Sequence, residues 1–327
     1  DVYNRFKTRS SVIKYIREFF DSRDFMEIET PILQNQAGGA MAKTFNTHHN
    51  DYDLDMVLRI SLELEHKMMM TAGYQRIYEI GKNFRNEGSD PTHIQEFTMI
   101  EWYAAYETLE TNMKWTQELI QGIANDVIGK TTFTILDKND TPVEINLGGN
   151  WEQVRFDDLL LRNANLDIST ASLDEIKSKA SEYGMSNDEL SKTGRANLLD
   201  HIYKKSSRNH ITAPTFVTNY PGELKPLAQQ NPDGTAEIAQ LIIAGAEITN
   251  QYAELVNPIT QRELLESQAK ADGDDEAMEI DERFLTAMEH GMPPMTGFGM
   301  GIDRLIAILT EQDNLRDVIF YPIMRPE

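Results

Sequence analysis

The chain has 327 residues, 40% of them hydrophobic, enough for one large domain or for a core domain carrying an insertion. Acidic residues outnumber basic ones 53 to 31, for a formal charge of -22, so the chain is expected to bind nucleic acid poorly by itself, since phosphate contacts draw on Lys and Arg. It has no cysteine, which excludes disulfides, thiolate metal sites and cysteine nucleophiles and is compatible with the cytoplasm, and no apolar run reaches the ~18 residues of a membrane span.

Residues 4–22 carry Phe6, Val12, Ile13, Ile16, Phe19 and Phe20 at helical spacing and predict an amphipathic helix. Residues 25–32 read as a strand. Pro31 near its end removes a ladder donor, which points to an edge, a bend or a subunit contact. Residues 38–40 form a glycine loop, 56–60 a strand, and Ser61 is placed to cap a helix ending near Gly73. Residues 76–84 and 97–103 read as the two strands of a hairpin. A helix of roughly five turns is expected over about 108–128. Residues 132–146 suggest a second hairpin turning at 138–140, and about 152–212 a polar helical insertion with capping boxes at Ser172/Glu175 and Ser186/Glu189. Strand character resumes at 215–219, followed by a hairpin of 237–243 and 247–256, two helices, and a glycine-rich turn, GFGMGIDR at 297–304, entering a last helix. Strands joined by long excursions and hairpins indicate an α+β fold, a mostly antiparallel sheet flanked by helices.

The run NFRNEGSDPTHIQEFTMIEWY at 83–103 is the most informative segment. The two-residue period of a strand puts Phe97, Met99, Glu101 and Tyr103 on one face and Thr98, Ile100 and Trp102 on the other. Arginine with an aromatic platform suits a nucleoside phosphate, and a carboxylate beside a tyrosine suits an ammonium. Both on one hairpin suggest a site that joins a nucleotide to a cationic small molecule. The histidines predict no metal site, because His48 and His49 are adjacent and no HExxH occurs.

FRNEG at 84–88, EF at 96–97 and GFGMGIDR at 297–304 resemble motifs two and three of class II aminoacyl-tRNA synthetases, and FMEIETP at 25–31 resembles motif one. GGAMAKTF at 38–45, THHN at 47–50, DLDMVLRISLEL at 53–64, GDDEAM at 273–278, EHGMPP at 289–294 and the closing RDVIFYPIMRPE narrow the resemblance to lysyl-tRNA synthetase catalytic domains. It covers most of residues 4–327 and is weak across the insertion. So many segments in order are far more specific than any one.

The resemblance implies a class II synthetase fold spanning 1–327 and a role for each matching residue. Arg85 would hold the ATP α-phosphate together with the lysine carboxylate, and Arg304 the γ-phosphate, making these the catalytic pair. Glu87, His93, Phe97, Glu247 and Asn250 would complete the ATP site, with Phe97 stacked on adenine. Glu101, Tyr103 and Glu254 would clamp the lysine ε-ammonium, Gly39 and Glu63 the α-amino end, with Asn250, Tyr252 and Gly299 beside them. Glu247 would contact ATP-bound Mg²⁺. Its usual acidic companion is here Gln240, which offers an oxygen without charge. Glu247 and Asn250 have opposite parity, which predicts a bulge between them. The second motif's loop also departs, reading Thr92-His93-Ile94-Gln95 where the family has Arg-His-Asn-Pro.

The implied reaction is attack of the ionised lysine carboxylate on the α-phosphorus, needing no general base, then transfer of lysine to the tRNA 3′ end. The family's anticodon-reading OB-fold is not in this sequence, and the first residue is Asp1, so a fragment or processed chain is expected, with weak, salt-dependent binding of the tRNA(Lys) acceptor end. A homodimer through about residues 6–31 is also implied. A related enzyme that lysylates elongation factor P remains open. It has alanine at the position of Gly299, expected to enlarge the pocket for β-lysine, so Gly299 favours α-lysine. A non-catalytic paralogue that binds ATP or lysine is a further alternative.

Overall fold

A computed structural model describes residues 1–137, 141–272 and 280–324. The expected turn at 138–140, the GDDEAM segment and the last three residues lie outside them. Helix α1 (Val2–Asp21) is capped by the Asp1 carboxylate and buries Val12, Ile16, Phe19 and Phe20. The strand expected over 25–32 is much shorter. Only β1 (Met26–Glu27) pairs with the main sheet, and β2 (Leu33–Gln34) joins a small one with β3 (Asn46–His49) and β4 (Leu54–Leu58). Pro31 has no N–H for the ladder, and the Thr30 N–H and hydroxyl go instead to Glu79 Oε2, at 3.0 and 2.7 Å. Helix α2 (Glu63–Thr71) begins later than Ser61 would set it, with Leu62 at its cap. The Ser61 hydroxyl still accepts from Glu63 N at 3.2 Å.

β5 (Arg76–Phe84) and β6 (Glu96–Ala105) form the hairpin expected from 76–84 and 97–103. α3 (Leu109–Gly122) is capped by Thr108, but the last part of the predicted long helix, Ile123–Ile128, widens into a π-helix that ends on Gly129 at φ 80°. β7 (Thr132–Leu136) pairs with β8 (Pro142–Asn146). The stretch 152–212 does not begin as helix. β9 (Glu152–Arg155) runs parallel to β10 (Thr215–Thr218), and helical structure starts with α4 (Phe156–Ala164). α5 (Leu173–Glu182) and α6 (Asn187–Lys192) each open with a complete capping box, and α7 (Arg195–Ser206) follows. β11 (Ile238–Ile243) and β12 (Ala246–Ala253) form the late hairpin, then α8 (Pro258–Asp272) and α9 (Glu282–Glu289). The glycine run is not a turn. It is strand β13 (Met295–Gly301), hydrogen-bonded on both sides, and α10 (Ile302–Leu309) starts directly after it.

The main sheet has the order β1-β5-β6-β13-β12-β11-β10-β9 and is antiparallel except at its two outer pairs. The architecture is α+β. On one face α1, α3 and α10 cover the principal core, including Ile100, Trp102, Phe298 and Leu241. On the other face there are two smaller cores. One joins Tyr103 and Ile77 to α2 and α9, and one joins Val217, Ile238 and Ile242 to α4, α5 and α7. The middle of that second face, between the two, is left open as a cavity.

Candidate active site

The cavity encloses about 390 Å³. Strand parity places its floor: Phe97, Met99, Glu101 and Tyr103 of β6 line it, whereas Ile100 and Trp102 point into the principal core. β13 crosses the floor as alternating glycines. A Cβ at Gly297 would lie 2.0 Å from Glu254 Oε1 and 2.5 Å from Tyr103 Cε1, so only glycine leaves room for both side chains. β12 carries a bulge. Leu241 pairs with Thr249 but Ile242 with Glu247, leaving Ile248 unpaired and turning Glu247 toward the same cavity as Asn250 and Tyr252.

One end of the cavity is acidic. Glu101 Oε1 accepts from Leu62 N at 3.3 Å and Ser61 Oγ at 3.4 Å, and Tyr103 OH lies 3.5 Å from Oε2. These contacts are long, and among the described residues no cation pairs with Glu101. Burial, then the nearby Glu63 charge, pushes its pKa up to about 8. Glu63 and Glu254 are bridged by a buried lysine, Lys67, whose Nζ is 2.6 Å from Glu63 Oε1 and 2.7 Å from Glu254 Oε2. Burial raises the Glu254 pKa to about 7 even against the pull of Lys67, and its Oε1 has no hydrogen-bond partner among the described residues. Two of the three buried carboxylates thus share one ammonium, and Glu101 stands beside them without one. A buried carboxylate without a partner is costly, so the set is built for added positive charge.

The other end is basic. Arg85 and Arg304 both line the cavity, and neither forms an ion pair with a carboxylate among the described residues. Burial lowers both pKa values; a guanidinium keeps its charge in proteins all the same. Arg85 sits 5.2 Å over the Phe97 ring and donates to the Ile60 carbonyl, and Arg304 donates to the Glu247 carbonyl. Two half-buried guanidinium groups without counter-ions form an anion site. A neighbouring cavity of about 430 Å³ shares Thr92, His93, Glu247, Arg304 and Leu315 with the first and adds Arg208.

Gly39, Glu63, Arg85, Glu87, His93, Phe97, Glu101, Tyr103, Glu247, Asn250, Tyr252, Gly299 and Arg304 all line this one cavity. Glu254 and Gln240 do not. Glu254 stands behind Tyr103 and Gly297 on Lys67, and Gln240 donates its amide to Asn250 Oδ1 at 3.3 Å. Asn250 in turn donates to Tyr252 OH. Among the described residues no cluster of three His, Asp or Glu could hold a metal ion. Glu247 alone would leave Mg²⁺ dependent on oxygens brought by a triphosphate. The size argument at Gly299 is reversed by the geometry. An added Cβ there would lie 3.4 Å from Met99 Cε and 3.7 Å from Glu101 Cγ, so alanine would narrow the pocket.

Two site residues were not anticipated from the sequence. Lys67 lies four residues after Glu63 on α2, a spacing that ordinarily marks an exposed pair. Asp303 accepts from Thr98 N at 2.7 Å and pairs with Arg9 at 2.6 Å, tying β6 to α1 and α10 beneath the floor. Its position beside Arg304 was the available signal.

The family model for tRNA synthetases class II (D, K and N) matches residues 1–325. The chain is 40% identical over 333 residues to a lysine–tRNA ligase of Nostoc sp., covering 100% of this chain and 58% of that protein. It is 40% identical over 336 residues to a lysine–tRNA ligase of Clostridium acetobutylicum, covering 100% and 64%, and 40% over 328 residues to one of Lactococcus lactis, covering 99% and 65%. The chain therefore spans less than two thirds of the length of these relatives.

Proposed function

The chain belongs to the class II tRNA synthetases of the D, K and N family, and from that premise we propose that it is the catalytic part of a lysine–tRNA ligase. It activates L-lysine with ATP to lysyl-adenylate and passes lysine to the 3′ end of tRNA(Lys). The observation that carries this reading is one cavity with an acidic cup at one end, in which buried Glu101 has no paired cation among the described residues, and two unpaired arginines at the other. An aspartate or asparagine side chain would leave the acids unmatched; an ammonium neutralises them.

Arg85, between the two ends, draws the lysine carboxylate and the ATP α-phosphate together. Arg304 holds the distal phosphates. The carboxylate is already ionised, so alignment and charge neutralisation suffice. Phe97, whose ring lies 5.2 Å from the Arg85 guanidinium, offers a face to adenine. Mg²⁺ entering with ATP would be held by Glu247 and would offset triphosphate charge. Gln240, turned to Asn250, is at most a neutral, outlying contributor.

The test is lysine-dependent exchange between ATP and pyrophosphate. Folded protein with Mg²⁺ that exchanges with no amino acid would refute it. Offering tRNA(Lys) and elongation factor P side by side separates the rival acceptor, and calorimetric binding without adenylate formation would favour the non-catalytic reading. With its acidic surface the chain is expected to hold tRNA weakly and with steep salt dependence. We expect a cytoplasmic homodimer; no described helix is long and apolar enough to cross a membrane. Exposed Val2, Tyr3, Met26, Ile32 and Leu33 supply an apolar surface around motif one for the dimer contact.

A further inference from the structure

We propose that Lys67 sets the charge this cup demands: its ammonium permanently cancels one of three buried carboxylates, so the remaining two accept only an amino acid that brings two positive charges. The inference rests on the lysine reading above and deepens it.

The charged groups around the cup come from four elements. α2 supplies Glu63 and Lys67, β6 supplies Glu101 and Tyr103, β12 supplies Tyr252, and Glu254 follows directly after β12. β5 supplies Glu79, but that charge is already matched by Arg59 at 2.8 Å. Arg85 stands at the far side and is matched by the ligand's own carboxylate. Glu63, Glu101 and Glu254 against Lys67 leave two negative charges. The α-ammonium and the side-chain ammonium of a diamino acid balance them, whereas a neutral side chain leaves one buried carboxylate unmatched.

Lys67 does not line the cavity and its side chain is wholly buried. It touches no ligand and acts through Glu63 and Glu254, which makes it a positioning residue. Its two contacts reach α2 and β12 at once, so the same ammonium also fixes where both carboxylates stand. Glycine at 297 is what admits the Glu254 carboxylate to this position.

The count makes the outcomes of three variants differ. Lys67→Met leaves three negative charges, Glu254→Gln leaves one, and the double variant returns to two. Calorimetry at pH 8 with lysine, and with norleucine as the isostere lacking the side-chain ammonium, reads the difference. K67M should bind lysine about 100-fold more weakly than the unaltered chain. The double variant should recover at least about tenfold of that loss, bind lysine more tightly than E254Q, and still reject norleucine. E254Q alone should admit norleucine. If K67M fails to fold, the comparison of the double variant with E254Q decides. A double variant that binds lysine no better than E254Q would overturn the proposal and reduce Lys67 to packing. Absence of lysine binding by the unaltered chain would overturn the lysine reading itself, and this inference with it.

Discussion

Glu79 and Glu101 face each other in register across β5 and β6, both buried, and their surroundings could hardly differ more. Glu79 is closed in. Arg59 lies at 2.8 Å, the Thr30 N–H and hydroxyl at 3.0 and 2.7 Å, and His66 Nε2 at 3.1 Å. Burial alone would raise its pKa, but these partners outweigh burial and lower it. Among the described residues Glu101 has only long contacts and no paired cation, and it is pushed up to about 8. The lesson is that burial does not distinguish a structural acid from a ligand-seeking one. The satisfaction of its oxygens does.

The fixed charge at the basic end sets the scale against which both can be judged. Arg85→Ala should lower kcat/KM in lysine-dependent pyrophosphate exchange by about 1,000-fold or more, because it removes charge stabilisation at the reacting centre. Glu101→Gln should raise the KM for lysine about 100-fold while leaving the KM for ATP within a few fold, and should not lower Tm. A fall in Tm without loss of lysine selectivity would put Glu101 in the same class as Glu79.

The pair also differs in pH behaviour. Glu101 is protonated in the empty cup below about pH 8 and must lose that proton to hold an ammonium. Lysine affinity therefore falls as pH drops through that value, by roughly 50-fold between pH 8 and pH 6 from Glu101 alone if the bound carboxyl titrates below pH 6, and Glu254, raised to about 7, deepens the fall. Calorimetry across this range checks it, and E101Q should make the profile shallower, leaving the Glu254 contribution. Conversely, the empty protein loses stability as pH rises from the ordinary carboxylate range toward 8, so lysine should raise Tm more at pH 8 than at pH 6.

Glu79→Gln should cost about 3 kcal/mol of unfolding free energy by stranding buried Arg59, with the preference for lysine over norleucine intact. Denaturant melts and exchange assays would separate the two effects. The smallest change is expected at Gly299→Ala. Its Cβ would meet Met99 and Glu101 at ordinary contact distance, so Tm should hold and the KM for lysine rise only a few fold, whereas Gly297→Ala should impair both.

Local rules carried the sequence reading a long way, because they act over a few residues. Strand parity sorted Phe97, Met99, Glu101 and Tyr103 from Ile100 and Trp102, and the out-of-phase Glu247 and Asn250 implied the bulge found at Ile248. Both capping boxes followed from side chains three positions apart. The resemblance supplied thirteen of the residues that line the cavity, but also Glu254 and Gln240, which stand outside it, and it did not supply Asp303. The glycine run misled, since the same three glycines suit a turn or a strand cleared for its neighbours. Only β12 and β6 on either side of β13, and the Glu254 and Tyr103 side chains over it, decide the matter.

Glu63 and Lys67 at helical spacing were visible in the chain, but their meaning was not. Whether that pair lies in water or in a sealed cup depends on Glu254, delivered by a strand far along the sequence. The amino-acid order by itself determined the hairpins, the facing of their side chains and the family. Tertiary structure alone decided which acids are satisfied and which still need a cation, because that depends on groups brought within 3 Å by long-range packing.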